Sequence, residues 1–199
     1  MRITAVTAYP LSFSIPDEHQ VQLGIGTTVK RDAVVVKVET SNGIVGWGEA
    51  HAARAVTAIA ELINTTLQQL VVGLDARDIA AVWGKVYRMQ LASHGMGAAA
   101  VIGLSGIDLA LWDIRGRELG RSLFDLLGGK AKSIPAYAGG ISLGFRPVSE
   151  LISEVNKLLA AGYGALKLRL GDTPERDVER VRAVRDHVGN VIEIMVDVN

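Results

Sequence analysis

The stretch "ALKLRLG", residues 165–171, sets two cations into an otherwise apolar run. Read as a strand it has a side-chain period of two, so Lys167 and Arg169 share one face, roughly 6.6 Å apart, and Leu166, Leu168 and Leu170 take the other. Turning two charges inward is costly unless something compensates their desolvation. The flanks define the context. "PVSELISEVNKLLAAG" (147–162) reads as a helix ending on Gly162, and "TPERDVERVRAVRDHVG" (173–189) as a helix with Thr173 as N-cap and Pro174 at its first position. "SIPAYAGG" (133–140) precedes them as a short strand and "VIEIMVDVN" (191–199) follows as another. Strand–helix units of this length without hairpins indicate a parallel α/β sheet or barrel.

In such folds ligands sit beyond the carboxyl ends of the strands. Lys167 and Arg169 lie at that end of the second strand, and Asp197 and Asn199 at that end of the third. Two readings of these residues stand side by side on spacing alone. One is an ion pair joining neighbouring strands; the other is an active site. One carboxylate is a weak metal signal, because a hard cation takes several oxygen ligands.

Upstream the pattern differs. Residues 2–12 alternate as a strand, "AVVVKVET" (33–40) is a second, and "SNG" (41–43) supplies the turn into a third, "IVGWGEA" (44–50). Helical stretches are expected over about 54–71, 76–90 and 98–118. The second opens after Asp75 as its N-cap, with Ile79, Val82, Val86 and Met89 on one stripe. The third is apolar nearly all round in its first half, as a buried central helix would be. A short helix "SLFDLL" (122–127) ends on Gly128 and Gly129. An α+β domain is therefore expected over 1–130 and an α/β domain over 131–199. A closed barrel takes about 250 residues, so we expect only its first three strands here, with the functional polypeptide continuing past Asn199.

Composition narrows the classes. The 199 residues carry no net charge and no Lys/Arg run beyond two, which speaks against a nucleic-acid footprint. The absence of cysteine excludes disulfides and thiolate metal sites. "MRITAVTAYPLSF" lacks the apolar core of a signal peptide. "GMGAAAVIGLSGIDLALW" (95–112) carries Asp108 and reads as a core helix rather than a membrane span. A soluble cytoplasmic protein is expected, a homo-oligomer with neither nucleic-acid nor membrane partners.

The order of "NGIVGWGEA" (42–50), "GLSGIDLALWDIRGRELGRSLFDLLGG" (103–129), "ALKLRLG" and "IMVDVN" (194–199) resembles the enolase superfamily, in its mandelate racemase and muconate lactonizing enzyme branch. The resemblance implies an α+β capping domain followed by the start of a (β/α) TIM-like barrel. It implies that Lys167 matches the first lysine of a Lys-x-Lys motif flanking the substrate, and that Arg169 stands where the second lysine often abstracts a proton. Asp197 matches an aspartate that binds an essential Mg²⁺, and Asn199 a position lining the site. Further carboxylate ligands and a His–Asp pair would come from later strands. "SFSIPDEHQVQLGIGTTVKR" (12–31) matches a mobile capping loop, although its residues read equally well as a solvated connection. His19 in that segment and His51 after Glu49 are candidate substrate contacts, each also readable as incidental. His94 and His187 read as surface or helix-end residues. Asp108, Trp112, Asp113 and Arg117 read as structural, with Asp113 and Arg117 an i,i+4 pair.

The activity so implied is Mg²⁺-dependent abstraction of the α-proton of a small carboxylate substrate. The arginine favours dehydration of an acid sugar. A guanidinium gives up its proton at neutral pH only at a cost of roughly 7 kcal/mol, too much for one of a racemase's two bases. A lysine loses its proton more readily when buried, which keeps a racemase, epimerase or cycloisomerase open through Lys167. The alternative of another class is a non-catalytic fragment acting as a binding or assembly module.

Overall fold

The computed structural model describes residues 1–139 and 143–198, and these divide into two compact units, Met1–Phe13 with Asp32–Ala131 and Ser14–Arg31 with Lys132–Asn199. Segment 14–31 thus groups with the α/β part of the chain. The expectation of a single boundary near residue 130 leaves this excursion out.

The first unit is built on β1 (Ile3–Ser14), followed by β2 (Val21–Leu23) and β3 (Gly26–Thr28) of the second unit, then β4 (Lys30–Thr40) and β5 (Val45–Ala50). Its sheet has the order β1-β4-β5, with β4 and β5 antiparallel and Lys37 opposite Trp47. Val34, Val36 and Val38 are fully buried on one face of β4, the period of two that the sequence pattern implies. The helical layer runs through α1 (Val56–Leu62), a π turn (Ile63–Leu67), α2 (Gln68–Val71), α3 (Ile79–Val86), a second π turn (Tyr87–Leu91), α4 (Gly97–Leu119) and α5 (Leu123–Leu126). Where uninterrupted helices are expected over 54–71 and 76–90, π turns intervene. The Asn64 side chain, in the first of these turns, accepts from the Ala8 amide at 2.7 Å and donates to the Ala8 carbonyl at 3.0 Å, tying it to β1.

The N-cap of α3 is Asp78, not Asp75. Asp78 accepts from the Ala81 amide at 3.0 Å. Asp75 instead accepts from the Arg77 amide at 3.1 Å and pairs with the N-terminal amine at 3.2 Å, and together they hold its carboxyl below the usual carboxylate range.

α4 is long and apolar enough to cross a membrane by length and composition. Here it is the core helix, with Leu104, Ile107, Leu111 and Ile114 buried against the sheet. Its contact with β5 is backbone on backbone. A Cβ at Gly46 would stand 2.1 Å from the Ala110 carbonyl oxygen, and one at Gly48 2.1 Å from that of Gly106. The motif "GWG" therefore needs both glycines for packing. The expected Asp113–Arg117 pair forms at 2.9 Å, and the same Asp113 oxygen accepts from the Trp47 amide at 2.9 Å, fixing β5 on the helix.

The second unit contains α6 (Val148–Ala160), β6 (Ala165–Arg169), α7 (Pro174–Val188) and β7 (Glu193–Asp197). β6 and β7 are parallel, with Lys167 beside Met195 and Arg169 beside Asp197. Of the strand expected over 133–140, the described residues contribute an isolated parallel bridge from Ala138 to Leu166. Gly140 lies outside them. Leu166 and Leu168 are buried with Leu151, Val155 and Val184 beneath the two helices. That burial leaves the other face of β6 to the cations. Thr173 caps α7 as expected, its side chain accepting from the Arg176 amide, with Pro174 next.

Candidate active site at the ends of β6 and β7

The parallel register carries the site. With Arg169 opposite Asp197, the pleat places Ala165, Lys167 and Arg169 on the same face as Glu193, Met195 and Asp197. Lys167 Nζ stands 2.7 Å from Asp197 Oδ2, and Arg169 Nη1 stands 2.6 Å from the same oxygen. Both cations, 25% and 12% exposed, are compensated by one carboxylate that is itself 28% exposed. The ion-pair reading of the sequence is thus realised in the structure. It does not exclude the chemical reading, because the triad lies at the carboxyl ends of two parallel strands.

Leu170, just past β6, donates its amide to the Asp197 carbonyl at 2.9 Å and closes the pair of strand ends. Lys167 Nζ also lies 5.8 Å from the centroid of the Tyr137 ring, within cation–π range. Sequence reading passes over Tyr137. Its place inside "SIPAYAGG", one residue before the Ala138 that bridges to the strand carrying the cations, is the signal that could have found it.

Segment 14–31 begins with a 3₁₀ turn at Asp17–His19 and continues as the β2–β3 hairpin, with Val21 opposite Thr28. Val21 is buried, and the Gln22 carbonyl accepts from the Phe145 amide at 3.0 Å. The hairpin turn lies against the strand ends: a Cβ at Gly24 would stand 3.3 Å from the Gly171 carbonyl oxygen and 3.5 Å from that of Val198. His19 is exposed on the 3₁₀ turn of this unit. His51 belongs to the first unit, where its Nδ1 accepts from the Ala53 amide at 3.1 Å and shapes the loop after β5. Asn199 lies outside the described residues. His94 Nδ1 lies 3.0 Å from the Met89 carbonyl, and His187, in the last turn of α7, meets Asn156 of α6 at 2.7 Å; both are helix-end contacts.

Asp197 supplies an oxygen donor of the type a hard divalent cation takes. No three His, Cys, Asp or Glu side chains form a metal cage among the described residues. Asp197 therefore fits Mg²⁺ in donor chemistry as one ligand, and a complete shell requires donors beyond those described.

Two family models match the chain. One is the mandelate racemase/muconate lactonizing enzyme N-terminal domain, over residues 7–128, and the other an enolase C-terminal domain-like model, over 150–199. Among curated proteins, the chain is 33% identical to a 3,6-anhydro-α-L-galactonate cycloisomerase of Streptomyces coelicolor, covering 87% of this chain and 48% of that protein. It is 34% identical to an arabinonate dehydratase of Saccharolobus solfataricus, covering 84% and 45%. Among solved structures, an enolase-superfamily member from Polaromonas sp. JS666 superposes with a TM-score of 0.96 at 49% identity, covering 100% of this chain and 52% of that one. A Streptomyces coelicolor racemase solved with bound magnesium gives a TM-score of 0.87 at 31% identity, covering 99% and 55%. The chain spans about half the length of the relatives it matches.

Proposed function

The chain belongs to the mandelate racemase/muconate lactonizing enzyme family of the enolase superfamily, and from that premise we propose that the whole protein abstracts the α-proton of a small carboxylate substrate in a Mg²⁺-dependent reaction, dehydrating an acid sugar. The observation that carries this reading is the convergence of Lys167 and Arg169 on Asp197 at the carboxyl ends of β6 and β7. Mg²⁺ held by Asp197, with ligands from beyond the described residues, supplies Lewis-acid stabilisation of the substrate carboxylate. Arg169 is a fixed electrostatic and orienting group, whose planar fork holds a carboxylate or hydroxyl in one geometry. Lys167 adds a second charge beside it. Half-buried donors already in place stabilise charge that develops as the proton leaves, without reorganising at that moment. His19, His51 and Asn199 are proposed substrate contacts. The protein is proposed to act in the cytoplasm as a homo-oligomer.

Racemisation or epimerisation is the second reading. It is favoured by the placement of Lys167 on the same face as Arg169 and by the likeness to a magnesium-bound racemase. Exchange of the substrate α-proton with solvent deuterium separates the two. In the full chain, Arg169→Met is expected to slow turnover by about 10²–10³-fold, the usual loss for one such donor, while residual exchange keeps one stereochemical course. Arg169→Lys is expected to open exchange from the opposite face. Loss of all exchange in Arg169→Met, with metal and substrate still bound, would make Arg169 indispensable to proton removal and overturn its role here. A protein that binds a carboxylate but exchanges nothing with Mg²⁺ present would instead be a binding module.

A further inference from the structure

Arg180 is the buried cation of the second unit that the proposed chemistry does not use. It lies on α7 with its side chain 7% exposed. Its Nη1 stands 3.1 Å from Asp172 Oδ2, and its Nη2 donates to Asp177. Its guanidinium carbon lies 4.6 Å from the centroid of the Phe145 ring. Two of these partners, Asp177 and Phe145, also touch the ground on which the β2–β3 hairpin rests. Asp177 accepts from the Gly171 amide at 2.9 Å, and Gly171 is the residue whose carbonyl backs Gly24 of the hairpin turn. Phe145 donates its amide to Gln22 of β2 at 3.0 Å. Beside it, a Cβ on Gly144 would stand 2.2 Å from Val21 Cγ1. An open groove lined by Gln22, Phe145, Asp172 and Arg180 runs beside the hairpin.

We infer that Arg180 is a positioning residue, whose forked guanidinium sets both halves of the seat on which the hairpin closes over the ends of β6 and β7. One half is the turn at Gly171 and Asp172, and the other is the loop at Gly144 and Phe145. An arginine suits the task because its planar group meets two carboxylates in its own plane while an aromatic ring covers its face. A lysine at this position keeps the charge but cannot span both carboxylates and the ring together. The role as a lid over a reacting carboxylate rests on the function proposed above, whereas the role as a seat rests on geometry alone.

The test is amide hydrogen exchange in the full chain, without metal or substrate. The parent is compared with Arg180→Lys, Phe145→Leu and Gly144→Ala. The Gly144 variant drives a methyl group into Val21 with Arg180 untouched, so it marks the rates of an unseated hairpin. Arg180→Lys is expected to speed exchange of the Phe145 amide and the β2–β3 amides by about tenfold, with amides of β6 and β7 unchanged. Phe145→Leu is expected to give about threefold in the same amides. Parent rates in the hairpin of both variants would overturn the inference. So would equal acceleration in β6 and β7, which would make Arg180 a support of the fold at large. If Arg180→Lys does not fold, an unchanged hairpin in Phe145→Leu overturns it alone. Because neither metal nor substrate enters the measurement, its failure would leave the proton-abstraction reading to its own test.

Discussion

Consider removing the two cations of β6 one at a time and then together, as Lys167→Met, Arg169→Met and the double variant. Lys167 and Arg169 reach the same oxygen of Asp197, at 2.7 and 2.6 Å. They attract the carboxylate but repel each other. Either single change removes one charge-assisted contact and also relieves that repulsion, and it leaves Asp197 with the other cation. A hydrogen bond to a charged group contributes about 1.5–3 kcal/mol, which partial exposure and the relieved repulsion reduce to about 1 kcal/mol for each single variant. The double variant strips both β6 cations from a carboxylate only 28% exposed. Breaking a buried ion pair by removing one side of it costs about 3–5 kcal/mol, and the exposure of Asp197 argues for the lower end, about 3 kcal/mol. The double loss should therefore exceed the sum of the singles by about 1 kcal/mol. Urea unfolding of the full chain at neutral pH measures this, provided the slope with denaturant stays constant across the four proteins. If the two single losses add to the double within about 0.5 kcal/mol, the limit for independent sites, then Asp197 is not shared and the reasoning fails.

Three further outcomes are expected. Asp197→Ala should abolish Mg²⁺ binding measured by titration calorimetry of the full chain, with the fold retained by circular dichroism; wild-type affinity would reduce Asp197 to an ion-pair residue. Burial pushes the Asp108 carboxyl above its usual range, so its ionised form costs stability above the folded-state pKa, and that cost is lost as pH falls through it. Asp108→Asn should accordingly raise the melting temperature at pH 7, with the gain shrinking toward about pH 4; equal gains at both pH values would show that charge is not the cause. Gly48→Ala puts a methyl group 2.1 Å from the Gly106 carbonyl, so it should cost about 3 kcal/mol or more by thermal or urea unfolding, and a loss below about 1 kcal/mol would mean that β5 and α4 separate freely.

Much of the architecture is legible along the chain because it depends on local periodicity and local hydrogen bonds. The alternation in "ALKLRLG" assigns Lys167 and Arg169 to one face whatever packs on the other. The buried valines of β4 follow from the same period. Thr173 and Pro174 announce the start of α7, and the four-residue spacing of Asp113 and Arg117 is enough for their pair. Where two groups compete for one partner, local reading loses its hold. Asp75 and Asp78 are equally good caps by residue type, and Asp75 is drawn away by an N-terminal amine that only the folded chain brings within 3.2 Å. The same holds for the site. Local periodicity is enough to put two cations on one strand face and a carboxylate at the end of a later strand. Tertiary structure brings all three to one oxygen, because the parallel pairing of β6 with β7 sets Arg169 beside Asp197, 28 residues further along the chain. It also decided that segment 14–31 joins the α/β unit and that Arg180, on a helix rich in surface charge, becomes buried. Those outcomes depend on which surfaces face one another, and no spacing within a single segment encodes that.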